Sequence, residues 1–128
     1  MPYKLFALGK SFFYAFRGFS KSIKSERNLR IHLLATIVVI VAGYFFRIES
    51  WAWVATFLCI GFVISLELIN TALERLCDKI VGENQDKIIE DVKDIAAAAV
   101  LVAVIISVII SIIIFGQAIQ NSGLFGRL

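Results

Sequence analysis

The chain carries carboxylate and amide side chains inside one of its most apolar stretches. Within "SLELINTALERLCDKI", residues 65–80, Glu67, Asn70, Glu74 and Asp78 recur at spacings of three and four. At 100° per residue these positions fall within about 80° of one another, so in a helix they form one polar stripe. Glu67 would lie about 10 Å deeper along the helix than Glu74, because each residue adds about 1.5 Å.

A carboxylate at the depth of Glu67 is costly for a membrane helix. Insertion scales put the cost of a charged residue near the helix centre at about 2.5–3.5 kcal/mol, so such a residue is a candidate functional group. A carboxylate removed from water suits a general base acting on an alcohol. Two carboxylates nearer the membrane surface suit Mg²⁺, which keeps some of its waters and binds phosphates. These residue types favour phosphoryl transfer at the membrane surface.

Further charged residues are expected on the same side of the membrane. Glu26 lies in "KSERNLRIH", and Lys93 and Asp94 follow the polar stretch "GENQDKIIED". Lysine and arginine side chains suit phosphate oxygens. No phosphate-binding glycine loop of the form G-x-x-x-x-G-K-[ST] is present, and nothing is arranged as a second metal ligand around the single histidine, His32. We expect His32 to cap the first membrane span.

Two alternatives to phosphoryl transfer stay open for the polar stripe at this point. Glu67 could pair with a polar side chain that holds two helices together. The stripe could also line an ion or proton pathway of a small channel or transporter. A pathway should continue deeper into the membrane, yet Thr56 is the one polar residue between Trp51 and Ser65.

The composition places this stripe in a membrane protein. Of the 128 residues 59% are hydrophobic, and the mean hydropathy is +0.86; soluble domains contain about 45–50% apolar residues. A chain of this length forms one domain, over residues 1–128, and cannot cover so much apolar surface with a core of its own. Lipid, and further copies of the chain, must cover the rest.

Three stretches are long and apolar enough to cross a bilayer, which takes about 17–25 residues. They cover residues 31–46, 51–73 and 95–119. All three are predicted to be helices, because an isolated strand would leave its backbone groups unsatisfied in lipid. The short "RIES" link makes the first two an antiparallel hairpin. The polar segment over 79–93 is predicted to be a cytoplasmic loop.

The N-terminal segment has a pattern of its own. Phe12, Phe16 and Phe19 recur on one side of a helix predicted over residues 4–28, with basic residues on another side, which is typical of an amphipathic surface helix. Residues 1–30 hold seven Lys and Arg, and the segment over 75–93 holds four. By the positive-inside rule both segments are cytoplasmic. The predicted fold is an all-α membrane protein with one surface helix and three transmembrane helices.

The order and spacing of the motifs resemble a known group of enzymes. "AFRGF", "SERNLRIH", "ELINTALERLCD" and "VKDIAAAAVL" resemble the prokaryotic diacylglycerol kinase and undecaprenol kinase family, over about residues 10–115. The resemblance implies that Mg²⁺ and ATP are used to phosphorylate the hydroxyl of a membrane lipid. It further implies a homotrimer in the bacterial cytoplasmic membrane, with each active site formed between chains and no nucleic-acid partner.

The resemblance also implies residue roles. Glu67 resembles the family's catalytic base and Asn70 its neighbouring polar residue, whereas Glu26 and Glu74 resemble its metal ligands. Implied lipid contacts are Glu67, Arg30 and Ala97. Implied nucleotide contacts are Tyr14, Arg17, Glu26, Glu74, Asp78, Gly82, Glu83, Asn84, Lys93 and Asp94.

The choice of lipid rests on fewer residues. Ala97 stands where members acting on diacylglycerol often have serine. "ERNLRIH" and the alanine-rich start of the third span look closer to undecaprenol kinases of Gram-positive bacteria. We therefore expect undecaprenol ahead of diacylglycerol as the substrate, with a small ion or proton channel subunit as the alternative to a kinase.

Overall fold

The structure is a computed structural model that describes residues 2–123, with side chains from Phe6 onward. Four helices follow one another: α1 (Pro2–Ser25), α2 (Arg27–Phe46), α3 (Ser50–Val81) and α4 (Lys87–Asn121). No strand occurs in this part of the chain, and α2, α3 and α4 are each long and apolar enough to cross a membrane. The predicted all-α membrane fold is confirmed. Residues 1 and 124–128 of the predicted domain lie outside the described residues.

The polar connection between α3 and α4 is shorter than the sequence predicts. Instead of a loop over 79–93, residues 82–86 alone lie outside the helices. The Asp86 side chain accepts hydrogen bonds from the backbone N–H groups of Ile88 at 2.9 Å and Ile89 at 3.3 Å, so α4 begins within the polar segment. A capping carboxylate satisfies backbone donors that a helix start leaves free. Hydropathy predicted only the apolar part of each helix, whereas α3 and α4 both continue into the polar segment between them.

The junction of α1 and α2 is a single extended residue, Glu26, with φ −102° and ψ 115°. The surface helix predicted over 4–28 therefore ends at Ser25. Arg30 Nη1 donates to the carbonyl oxygens of Ile23 at 2.9 Å and Lys24 at 3.0 Å. These bonds satisfy carbonyl groups that the end of α1 leaves free. Glu26 is thereby fixed at a corner between two helices.

The hairpin between α2 and α3 is closed by a tight turn. Arg47 adopts the left-handed conformation, with φ 51° and ψ 54°, and the Ile48 N–H donates to the Gly43 carbonyl at 3.1 Å. A Cβ atom on Gly43 would lie 2.8 Å from the nearest ring carbon of Trp53. Glycine therefore allows α2 and α3 to approach closely beside this turn.

The buried apolar core is small and lies at the hairpin end of the bundle. Ile48, Ala52 and Ile114 are buried there, with Phe46 and Trp53 among the side chains packed on them. Phe46 also meets Phe115 edge to face, with ring centroids 6.0 Å apart. Most other apolar side chains of α2, α3 and α4 remain exposed. That distribution fits a chain whose outer surface is covered by lipid or by further copies.

Candidate active site

The centre of the candidate site is the carboxyl group of Glu67, on the inner face of α3. Glu67 is only 3% exposed, and its neighbours along the same face, Asn70 and Thr71, are 6% and 3% exposed. Glu67 Oε2 lies 4.0 Å from Nε2 of His32 on α2. The predicted polar stripe is therefore buried against the neighbouring helix at its deeper end.

Two buried polar atoms beside Glu67 have no hydrogen-bond partner among the residues that the structure describes. They are Asn70 Oδ1 and the Thr71 hydroxyl oxygen, although Asn70 Nδ2 donates to Glu74 Oε1 at 3.3 Å. Buried polar atoms are paired in the great majority of cases, so each unpaired one calls for a physical reason. Thr71 can donate its hydroxyl proton to a substrate oxygen, whereas Asn70 Oδ1 can only accept a hydrogen bond.

The corner between α1 and α2 brings Glu26 to the same region. Arg75 Nη2, on α3, lies 3.7 Å from Glu26 Oε1 and donates to the Ser25 hydroxyl. The Ser25 hydroxyl in turn donates to Glu26 Oε1 at 2.9 Å. Glu26, at the corner after α1, is therefore tied to α3 at the residue that follows Glu74.

Asp78 and Lys93 lie beyond this cluster, toward the polar end of α3. Lys93 Nζ donates to Asp78 Oδ1 at 2.8 Å and so ties the start of α4 to the end of α3. Exposed ion pairs of this kind add only about 0–1 kcal/mol to stability. The pair places one cation and one carboxylate at the polar end of α3, near the loop over 82–86.

The remaining predicted site residues are not drawn into the cluster within this chain. The Arg17 guanidinium lies 5.1 Å from the ring centre of Tyr14 on the exposed face of α1, and Arg30 caps α1 instead of facing Glu67. The other five are exposed, three in the loop and two on α4: Gly82, Glu83, Asn84, Asp94 and Ala97.

The predicted metal ligands are the carboxylates of Glu26 and Glu74. Among residues 2–123, no group of three or more His, Cys, Asp or Glu is placed to hold a metal ion. Mg²⁺ commonly binds through one or two carboxylates and takes its other ligands from water and substrate phosphates. Two carboxylates by themselves do not form a closed protein site for a metal ion, and any metal bound there would need most of its ligands from outside the chain.

The contact between His32 and Glu67 was not predicted from the sequence. Instead of capping the first span, His32 lies beyond the first turn of α2, which begins at Arg27, with its imidazole against Glu67. The positions of the two residues relative to the hairpin turn could have indicated it. His32 comes sixteen residues before Ile48, and Glu67 comes nineteen residues after it. In an antiparallel pair of helices, residues at similar distances from the turn lie at similar depths.

Comparison with known proteins identifies the class that this fold and site define. The family model described as prokaryotic diacylglycerol kinase matches residues 13–115. The chain belongs to the prokaryotic diacylglycerol kinase family, and its enzyme class is that of a lipid kinase. The resemblance found in the sequence is confirmed, and nothing in the fold or the comparisons supports the alternative of a channel.

Two relatives carry different substrate names. The undecaprenol kinase of Bacillus subtilis is 38% identical over 93 residues, which cover 73% of this chain and 75% of the relative. The diacylglycerol kinase of Synechocystis sp. is 40% identical over 93 residues, which cover 73% of this chain and 53% of that relative. The chain is similar to both kinds of lipid kinase at nearly equal identity.

Proposed function

We propose that this protein transfers the γ-phosphate of ATP, with Mg²⁺, to the hydroxyl group of a membrane lipid, with Glu67 as the general base. The observation that carries the proposal is the placement of the Glu67 carboxyl. It is 3% exposed within a helix that is apolar enough to span a membrane, while further acids lie along the same helix toward its polar end. A general base at that depth can reach a lipid hydroxyl, and the shallower acids can meet a nucleotide.

The reaction moves one proton and one phosphoryl group. Glu67 accepts the proton of the lipid hydroxyl as that oxygen attacks the γ-phosphorus, and the bond from the γ-phosphorus to the bridging oxygen of ATP breaks to release ADP. Positioning and charge stabilisation dominate catalysis of phosphoryl transfer. The unpartnered hydroxyl of Thr71 supports a role in holding the lipid oxygen, because it can donate to that oxygen while the lipid proton passes to Glu67.

Glu26 and Glu74 would hold the Mg²⁺ ion that accompanies ATP. When bound, the ion neutralises charge on the phosphates. Lys93 adds a cation at the polar end of the site, next to Asp78. The remaining proposed nucleotide contacts lie on α1, in the loop and at the start of α4: Tyr14, Arg17, Gly82, Glu83, Asn84 and Asp94.

We favour undecaprenol over diacylglycerol as the lipid. Support comes from Ala97, which stands where diacylglycerol kinases often have serine, and from "ERNLRIH". Arg30 and Ala97 are the proposed lipid contacts besides Glu67. Both substrates present a hydroxyl at the end of a long apolar body, so the chemistry at Glu67 is the same for either.

We propose a homotrimer in the bacterial cytoplasmic membrane, with the active site on the cytoplasmic side. The many Lys and Arg of residues 1–30 and 75–93 support this orientation by the positive-inside rule. An apolar groove between α3 and α4 is lined by Ala99 and Ala103 beside Leu66 and Phe62. Small residues four apart let a second helix approach closely in a membrane, which supports packing by another copy.

The test is a side-by-side kinase assay on purified protein in lipid nanodiscs. We expect phosphate transfer from ATP that depends on Mg²⁺ and on the added lipid, with a higher kcat/KM for undecaprenol than for diacylglycerol. A methyl ether of each lipid is the matched control, because it keeps the apolar body and removes the proton that Glu67 must accept. Absence of transfer to both lipids would overturn the proposal, and faster transfer to diacylglycerol would reverse the substrate order.

A further inference from the structure

The contact between His32 and Glu67 joins two helices at the reacting carboxyl. His32 Nε2 lies 4.0 Å from Glu67 Oε2, with the imidazole 20% exposed and the carboxyl side chain 4% exposed. This separation is longer than the roughly 2.7–3.2 Å of an N–H···O hydrogen bond. Catalytic hydrogen bonds are often long in a protein without substrate and tighten when it binds. The pair is therefore placed to close with a small side-chain movement.

The neighbouring cations are engaged elsewhere. Arg75 pairs with Glu26, Lys93 pairs with Asp78, and Arg30 donates to the end of α1. Among the described side chains, His32 is the one basic group within 4.0 Å of the Glu67 carboxylate. The other acids of the candidate site, Glu26 and Glu74, are carboxylates, and an ionised carboxylate cannot orient Glu67 by donating a hydrogen bond.

We propose that His32 is a positioning residue that donates a hydrogen bond from Nε2–H to the Glu67 carboxylate and orients it toward the lipid hydroxyl. This inference rests on the proposed function, because it assigns a partner to the general base of that reaction. A neutral imidazole carries one N–H donor and one acceptor, so a bond of this kind occupies one carboxylate oxygen of Glu67 and leaves the second oxygen free to accept the proton of the lipid hydroxyl.

His32 also borders a small cavity between α2, α3 and α4, and that contact suggests a rival role as a filler of space. The cavity, about 150 Å³, is lined by Thr36, Thr56 and Ser107 besides apolar side chains. If His32 only filled this space, any polar side chain of similar size would serve equally well. If His32 positions Glu67, the activity of a variant depends on whether its donor atom stands at the place of Nε2. The two roles therefore predict different activities for variants with glutamine or asparagine at position 32.

The experiment compares His32→Gln with His32→Asn in the nanodisc kinase assay. The amide nitrogen of glutamine can reach the place of Nε2, whereas that of asparagine stops short, near the place of Nδ1. We expect His32→Gln to keep kcat within about threefold and His32→Asn to lower it about tenfold or more, in the range of a lost hydrogen bond to a charged group. The KM for ATP should be unchanged in both. Ser107→Ala is the matched control, because its hydroxyl lines the same cavity and donates to its own helix at Ala103.

A double-mutant cycle separates positioning from packing. In a Glu67→Gln background, His32→Asn should cause no further loss, because the group that it positions has already been removed; coupled residues lose additivity in this way. Equal kcat for the asparagine and glutamine variants, or a full additional loss in the Glu67→Gln background, would overturn the proposal. If the unsubstituted protein itself shows no lipid-dependent transfer, the proposed function has failed instead.

Discussion

At the scale of single residues, depth and burial distinguish two similar carboxylates on one helix, to which we assign different roles in the proposed reaction. Glu67 is almost fully buried, whereas Glu74 is half-buried and accepts a hydrogen bond from Asn70. A carboxylate excluded from water is suited to accept a proton from an alcohol. A carboxylate with access to water is suited to a metal that keeps its waters. The two acids are therefore expected to fail in different ways when they are replaced.

We expect Glu67→Gln to lower kcat by at least about 10²-fold, in the range of general-base contributions. Glutamine keeps the shape of the side chain and loses the ability to take a proton. Binding of Mg-ATP, measured by calorimetry or by a fluorescent nucleotide, should stay within a factor of about two. Retention of most of the activity would show that Glu67 is not the base.

We expect Glu74→Ala to weaken Mg-ATP binding about tenfold or more, equivalent to about 1.4 kcal/mol, because one of the two carboxylates proposed to bind the metal is lost. The measurement is a nucleotide titration at several Mg²⁺ concentrations. Glu90→Ala is the matched control, since Glu90 is an exposed acid in the first turn of α4. An unchanged Mg-ATP affinity in Glu74→Ala would remove Glu74 from the metal site.

At the scale of helices, the hairpin turn sets the depth at which α2 packs against α3. It therefore determines that His32 of α2 lies beside Glu67. The turn is fixed by the left-handed Arg47 and by the close contact of Gly43 with Trp53. Trp53 in turn packs on Tyr44, with ring centroids 5.0 Å apart. This packing lies at the opposite end of the hairpin from His32, and it sets the depth at which the two helices are paired.

We expect Gly43→Ala to destabilise the fold by about 1–3 kcal/mol, the usual range for overpacking. Its new Cβ would meet two ring carbons of Trp53, at 2.8 and 3.0 Å, and Ile48 at 3.1 Å. Gly61→Ala is the matched control, because within the described part of the chain its added Cβ would have no neighbour within 4 Å apart from adjacent residues and the backbone of its own helix, and alanine favours a helix over glycine. Thermal unfolding in detergent should show a lower Tm for Gly43→Ala alone. Equal Tm values for the two variants would contradict the close approach at Gly43.

At the scale of the whole molecule, the single chain leaves most of its apolar surface exposed. Apolar side chains are exposed along all three spanning helices, for example Ile37 on α2, Phe62 on α3 and Ile106 on α4. Lipid can cover such surface without any partner. The alanines at 99 and 103 favour helix packing at one part of it, beside Leu66 on α3.

We expect the purified protein to be a trimer of the 14.3 kDa chain, with activity lost on dissociation to monomers. Native mass spectrometry from detergent micelles gives the mass, and the kinase assay on each separated species gives the activity. Ala103→Leu should weaken the trimer, because the larger side chain keeps helices apart. Ile112→Leu is a control of constant volume at an exposed position of α4. A fully active monomer would contradict this prediction.

Much of the fold could be predicted from hydropathy and charge. The three apolar stretches and the basic N-terminal helix predicted four helices in the right order, because each pattern is local to its own segment. The helix ends were less predictable. The cap at Asp86 and the break at Glu26 depend on a few hydrogen bonds, so the loop is confined to residues 82–86 and α1 ends at Ser25.

The sequence by itself determined the depth order of Glu67, Asn70 and Glu74, because their spacing along one helix is fixed by helical geometry. It also determined the family, because the motifs and their order along the chain are enough to identify it. Only the tertiary structure decided which groups surround these acids: Arg75 at Glu26, Lys93 at Asp78, and His32 at Glu67. Helical spacing fixes neighbours within one helix, whereas contacts between helices depend on the turn, the depth and the rotation with which the helices pack.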